Sequence, residues 1–361
     1  MMMKNRRLRI AVSLNGEGRG HLTRVSALAR RLEKRHVLGF WCPASIRDEL
    51  AAAFPGASVR LIPGLRFVMK GGEVDYMATA AANLPGILSF GSAVSALAAD
   101  LAGFRADGVF SDFEPLLPEA ASRLGLPILQ LNHPGIVTRM GGREPEAQLA
   151  RLVSSRMMGR FDRLILSSFY EGDVGPIVRP EILRTRRHAR RGDYVVVYAK
   201  DEFRERLRDT LDRIPGHRFR YFPDPAEDFP SALAGCRAVI APSGHQMAAE
   251  ALCLRKPIFA IPISGQYEQR LNGMMLRASG RGDWAPPDSF EEPVRRFLAE
   301  LDSYPRASDP RYRFRFRDEG SRAARMVEDF FWKPPSSGEA RRVYLRVTWP
   351  LGRLAASGVP R

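Results

Sequence analysis

The stretch VIAPSGHQMAAEALCLRKPIFAIPISGQYEQRLN, residues 239–272, reads as strand, glycine turn, helix, strand and polar loop. Val239-Ile240-Ala241 is the first strand, and Pro242-Ser243-Gly244-His245 turns the chain. Gln246 to Leu254 can form a helix, and Pro257 to Ile263 supplies the next apolar strand. A strand that ends in Ser-Gly and opens into a helix aims unpaired backbone N–H groups at whatever lies above the turn. That arrangement suits an anion, above all a phosphate. Glu250 lies one to two turns inside the helix, where a carboxylate can reach a ribose. Gly265 to Gln269 then offers amides and the Glu268 carboxylate to sugar hydroxyls. Phosphate, ribose and sugar contacts in that order describe a nucleotide-sugar site.

The rest of the chain supplies the frame for such a block. Leu8 to Leu14, His36 to Trp41, Val59 to Ile62, Asp107 to Phe110, Pro127 to Leu131 and Leu164 to Ser167 are short apolar runs. Helix-like segments lie between them; Leu22 to Lys34 has apolar residues at 22, 25, 28, 29 and 32, a helical period. The alternation restarts with the strand Tyr194 to Tyr198, a helix near Asp201 to Ile214, the strand Arg218 to Phe222 and a helix near Phe229 to Leu233. Strands alternating with helices predict a parallel sheet covered on both faces. The class is therefore α/β, with two similar Rossmann-like domains. The spacing predicts an N-terminal domain over 1–180 and a second domain over 181–318. A helix near Ser321 to Trp332 falls in a 319–335 segment, and an Arg- and Gly-rich tail runs over 336–361. Pro63 to Ser92 has Gly-Gly, Met and aromatic residues with no clear period. It reads as a long irregular loop, either a cleft wall for an acceptor or a surface excursion.

Composition narrows the classes. At 361 residues the chain can bury about two cores. No apolar run of roughly 18 residues predicts a membrane span. Ile10 to Leu14 is too short for the apolar part of a signal peptide and reads as a buried strand. Cys42, Cys236 and Cys253 have no metal-ligand spacing and are expected to be reduced core thiols of a cytoplasmic protein. The net charge of +16 comes from 50 Arg and 6 Lys against 40 acidic residues. It is read either as a solvated basic surface or as attraction to phosphorylated ligands or an anionic membrane face. Nothing in the spacing indicates a nucleic-acid platform.

A second chemical signal is NGEGRGHLTR, residues 15–24, directly after the first strand. Its glycines fall at 16, 18 and 20, not in the G-x-G-x-x-G order of dinucleotide sites, and no acidic residue follows the second strand. Gly18 and Gly20 leave bare backbone that a substrate can approach, around one side chain, His21. Neutral imidazole is the usual base for a hydroxyl; the plainer role for His21 is capping or packing. VFSDFEPLLPEAASRLGLPILQLNHPG, residues 109–135, puts Asp112 just past a strand's C-terminal end, where open α/β sheets place ligands. Asp112 can fix the imidazole tautomer, or cap the helix that follows. Glu114 competes for the same role.

These three motifs resemble inverting glycosyltransferases of the GT-B fold. They are most similar to the branch that includes the bacterial lipid-linked N-acetylglucosaminyltransferase of peptidoglycan synthesis, and more distantly to plant-type UDP-sugar transferases. The resemblance covers most of residues 8–332. By that likeness the two domains face each other across a cleft, with the last helix crossing back to the first. It implies that His21 deprotonates the acceptor and that Asp112 orients it. It implies a pyrophosphate on Ser243, Gly244, His245 and Gln246, a ribose on Glu250, and a donor sugar on Glu268 and Gln269. Phe222 and Pro223 match the loop that recognises uracil. Pro242 departs from the family, since many members carry His or Arg there. Ala199-Lys200-Asp201 replaces a common Gly-Ser turn, so Lys200 is a candidate phosphate contact.

The function expected is transfer of a sugar from a nucleoside diphosphate, UDP by resemblance, to a hydroxyl of a lipid, glycan or small natural product. The nucleotide sugar is a co-substrate, and no cofactor or metal is expected. Peripheral attachment to the inner membrane face is a candidate location. Two alternatives remain: a non-hydrolysing UDP-sugar epimerase, which needs no acceptor, and a non-catalytic nucleotide-sugar-binding or membrane-surface protein, which would release no UDP.

Overall fold

The computed structural model describes residues 6–65, 68–70, 73–199 and 201–334. The tail 336–361 and Lys200, both considered above, lie outside the described residues.

The first sheet is built from β1 (Arg9–Leu14), β2 (Val37–Cys42) and β3 (Ser58–Leu61). A two-residue hairpin follows, β4 (Met69–Lys70) with β5 (Glu73–Val74), and then β6 (Gly108–Asp112), β7 (Ile128–Asn132) and β8 (Arg163–Leu166) complete the sheet. All its pairs are parallel, in the order β3-β2-β1-β6-β7-β8. The second sheet contains β9 (Tyr194–Tyr198), β10 (Arg218–Phe222), β11 (Ala238–Pro242), β12 (Ile258–Ile261) and β13 (Gly282–Trp284), also parallel, in the order β10-β9-β11-β12-β13. The central strands β1, β6 and β11 are almost wholly buried because helices cover both faces.

Strand order decides where ligands can sit. In each sheet the order reverses once, between β1 and β6 in the first and between β9 and β11 in the second. Crevices open at the carboxyl ends of strands where such a reversal occurs. The chain leaves β1 into the His21 loop and leaves β6 at Asp112, and register pairs Leu14 with Asp112. β11 ends at Pro242, immediately before Ser243. Both chemical motifs therefore stand at switch points.

The two halves are not separate bodies. Phe169, Tyr170, Val178 and Ile182, from the segment after β8, share one apolar cluster with Val196, Val239 and Ile258 of the second sheet. The helix Gly320–Trp332 returns to the first domain, where Ala323, Val327, Phe330 and Phe331 join the core behind β1 and β2.

Two expectations are corrected. Residues 63–92 are not an irregular loop: they hold the hairpin and the helix Tyr76–Leu88, followed by the helix Phe90–Phe104. The sequence here is rich in Ala and Leu, which favour helix, but it lacks a one-sided apolar stripe, so no period is visible. Met77, Leu84 and Leu88 are exposed accordingly. The stretch after Gly265 is likewise not all loop. Glu268 and Gln269 lie in the first turn of a helix, Tyr267–Ala278, whose buried face is Leu271, Asn272, Met275 and Leu276. That period begins only where the sequence motif ends.

Phe331 shows what docks the last helix. A Cβ on Gly108, at the start of β6, would lie 2.5 Å from the Phe331 Cε1, so the glycine makes room for the ring. Phe331→Ala should cost about 3–5 kcal/mol in urea unfolding; a loss below about 1 kcal/mol would mean the helix is not held by this contact.

Candidate active site

The first half of the site is set at the end of β1. The Asn15 amide donates to the Asp112 carbonyl (3.1 Å) and the Asn15 Oδ1 accepts from the Glu17 amide (2.8 Å), which curls the loop over β6. Gly18 takes φ +75°, a conformation that L side chains rarely adopt. The helix Arg19–Leu32 then begins with His21 in its first turn. His21 Nδ1 lies 2.8 Å from Asp112 Oδ1. A carboxylate there accepts from Nδ1–H, so the lone pair of the neutral ring is on Nε2. Phe113, with φ +59°, lays its ring parallel to the imidazole at 5.9 Å. Such a φ on a non-glycine residue is strained, and strain of this kind collects at functional sites.

Asp112 has a second partner that the sequence reading missed. Arg24, on the same helix as His21 and almost fully buried, donates from Nε to Oδ2 (2.8 Å) and from Nη2 to Oδ1 (2.7 Å). Its Nη2 is also 3.2 Å from His21 Nδ1. Burial alone would raise the Asp112 pKa; the Arg24 guanidinium and then His21 outweigh it, and the carboxyl sits below its ordinary range. Glu114 is not the partner of His21. Its oxygens accept from the Leu116 and Leu117 amides (2.6 and 3.0 Å) and cap the helix Leu116–Arg123, and burial pushes its pKa up.

The second half is the turn after β11. The helix His245–Cys253 starts behind Gly244 without a side-chain cap, leaving its first amides without intrahelical partners. Three of the four residues 243–246 carry buried polar atoms with no partner: Ser243 Oγ, His245 Nδ1 and Gln246 Oε1. His245 is stacked between His133 (3.7 Å) and Phe169 (5.6 Å), and its Nε2 accepts from the Phe169 amide (3.2 Å). The ring proton is then on the unpartnered Nδ1. Burial, followed by the His133 and Arg24 charges, holds the His245 pKa well below the ordinary value. The two helix starts meet: a Cβ on Gly20 would be 3.7 Å from the Gln246 Cβ.

Asn272 ties the halves together. Its Oδ1 accepts from Tyr170 Oη (2.7 Å) and His133 Nε2 (2.9 Å), and its Nδ2 donates to the Ser243 carbonyl (3.0 Å) and to Glu268 Oε1 (3.1 Å). Glu268 remains partly exposed beside His133. Gln269 turns away, accepting from the Ile263 amide and donating to Gln266. His133 follows the end of β7; the strand-end position that singled out Asp112 applied equally to it.

The remaining predicted residues have partners of their own. Both oxygens of Glu250 are held by Arg179, at 2.9 and 2.7 Å, and Gln246 Nε2 donates to Oε1 at 3.1 Å. The Arg179 guanidinium lies over the Phe229 ring, which meets Phe222 edge-on. The Pro223 carbonyl accepts from Arg204 (3.0 Å). Among the described residues no cluster of three or more His, Cys, Asp or Glu is placed to hold a metal ion. The three cysteines are free and buried.

The sequence profile described as glycosyl transferase family 1 matches residues 8–302, most of the chain. The chain belongs to that family. Solved structures of similar fold include the glycotransferase of kitacinnamycin (15% identity, TM-score 0.60, 90% of this chain and 99% of that one). Others are MurG of Acinetobacter baumannii (13%, 0.57, 89% and 99%) and LpCGTa in complex with UDP (15%, 0.57, 90% and 94%). No curated protein matches the chain in sequence. The likenesses give the fold of this family 1 chain as GT-B, two facing parallel-sheet domains.

The charge on Asp112 is the most exposed point of this design to mutation. Its depressed pKa means that its contribution to stability is present above the unfolded carboxylate range and is lost as pH falls through the folded value. Arg24→Met would leave a buried, unpaired carboxylate, at a cost of about 3–5 kcal/mol near neutral pH. The loss should shrink in acid, where Asp112 takes a proton. Unfolding measured across pH checks this; a loss independent of pH would contradict the pairing.

Proposed function

We propose that this glycosyltransferase moves a sugar from a UDP-linked donor to an acceptor hydroxyl with inversion, using His21 as general base. The observation that carries the reading is the meeting of the His21–Asp112 pair with the buried, unpartnered polar atoms of residues 243–246. One half can move a proton; the other can hold an anion.

The chemistry follows from these two ends. The acceptor oxygen attacks the sugar C1 as the bond from C1 to the diphosphate oxygen breaks. His21 Nε2 takes the acceptor proton, and Asp112 stabilises the imidazolium through Nδ1–H. The leaving diphosphate gains negative charge at the start of the helix His245–Cys253, where backbone amides, Ser243 Oγ–H and His245 Nδ1–H can donate to it. Pro242 supplies no cation, so these neutral donors carry the load. Glu268, half open beside His133, is the carboxylate suited to the sugar hydroxyls.

Glu250 is the ribose ligand in this reading, by exchange of partners. A ribose diol that bonds both carboxylate oxygens competes with Arg179 for them. Support for UDP comes from resemblance and from LpCGTa, a structural neighbour solved with UDP. The acceptor is a hydroxyl compound; a lipid-linked acceptor and an anionic membrane surface fit the basic composition. Among the described residues no single helix is long and apolar enough to cross a membrane.

His21→Ala should lower kcat by roughly 10²–10⁴ while leaving the Kd for UDP nearly unchanged. Full turnover by that variant would remove His21 as the base. For the ribose exchange, calorimetry should find weaker UDP binding in Glu250→Ala and tighter binding in Arg179→Met; unchanged affinity in Glu250→Ala would exclude it from the donor site.

A further inference from the structure

Residues 311–317, RYRFRFR, alternate arginine with aromatic rings. Extended chain sends such alternate side chains to opposite faces. Tyr312, Phe314 and Phe316 pack against the apolar cluster that joins the two domains, with Phe314 and Phe316 stacked at 6.0 Å. The rings are therefore spent on the core and not offered to nucleic-acid bases. Arg313 and Arg315, between those rings, face a cavity.

This cavity, of about 350 Å³, is lined in part by Arg163 of β8, Asp173, Arg313, Arg315 and Arg322. None of these residues belongs to the candidate active site. Their charges do not cancel. Asp173 is held by Arg139 (2.9 Å) and by the Leu166 amide (2.8 Å). Glu171 takes Arg313, loosely, at 3.3 Å. Glu319 serves both Arg315 and Arg322 at 2.9 Å and also accepts from the Gly175 amide at 2.9 Å, so its oxygens are saturated. Arg163 has no ion pair among the described residues. The four lining arginines together with Arg139 thus stand against Asp173 and the two carboxylates paired with the lining, Glu171 and Glu319, which leaves two positive charges in excess. Arg315 and Arg322 each bond through Nη1 alone, so further N–H donors of their guanidinium forks remain for another acceptor.

We infer that this cavity is a second anion site, specific for a phosphomonoester. A phosphate monoester carries about −1.5 to −2 charge near neutral pH, which matches the excess, and offers oxygens in the geometry that guanidinium forks bind best. Arg313 and Arg315, Arg163 of the edge strand β8 and Arg322 of the last helix build it jointly. It is a binding site separate from the donor diphosphate turn, and the group it takes is either a soluble phosphate ester or the headgroup of a phosphomonoester lipid.

The test uses inorganic phosphate titrated into the full chain held in excess UDP, followed by calorimetry. The wild type should bind one phosphate, and the double variant Arg163→Ser/Arg322→Ser should bind it at least about tenfold more weakly, with unchanged circular dichroism and unchanged UDP affinity. Vesicles containing phosphatidic acid separate the two sources. Sedimentation with them that phosphate reverses, and that the double variant loses, assigns a lipid headgroup. Phosphate binding without sedimentation assigns a soluble ester. No phosphate binding by the wild type, or equal binding by the double variant, overturns the site. A chain that binds phosphate but not UDP would keep this site and refute the donor reading instead.

Discussion

A single buried carboxylate, Asp112, organises the chemical end of this protein. An isolated charge in an interior would cost far more than a folded domain can spare, so it must be paired and hydrogen-bonded. Arg24 supplies the charge and two of the bonds; His21 takes another. Both partners come from the first helix, so that helix cannot rotate or slide on the sheet without stranding the carboxylate. The β1–β6 register, the Asn15 loop and the left-handed Phe113 backbone all deliver Asp112 to that point. The imidazole orientation is then a consequence of packing the pair.

The turn after β11 is fixed by a different device. There the domains are joined by neutral groups: His133, Asn272, Tyr170 and the Ser243 carbonyl form one buried hydrogen-bonded seam. His245 is part of it, which leaves its Nδ1–H aimed without a partner beside Ser243 Oγ. Buried polar atoms are rarely left unsatisfied, and three within one turn at a helix start are costly unless a ligand answers them. The seam thus trades some stability of the ligand-free chain for open polar atoms at a helix start that meets the His21 helix.

Much of this was legible in the sequence because it was local. Strand-turn-helix punctuation gave the turn at 243–246, the glycine loop gave His21, and strand-end position gave Asp112. Arg24 escaped because a charged residue between apolar helix positions reads as a solvated face; only the distant carboxylate explains its burial. Arg179 escaped because it lies outside any helix and 71 residues from the Glu250 it grips. The helix Tyr76–Leu88 was hidden by apolar residues on all sides, and the helix Tyr267–Ala278 by a polar first turn. The choice between Asp112 and Glu114 needed coordinates, since both follow the same strand and only backbone direction tells which one turns back to cap.

The account stands on the state of one ring. ¹⁵N NMR of the His21 imidazole in the full chain, near neutral pH, reads which nitrogen carries the proton. Pairing of Nδ1 with a charged Asp112 predicts the Nδ1–H form with a free Nε2, lost in Asp112→Asn. A ring protonated on Nε2, or unaffected by that substitution, would contradict it.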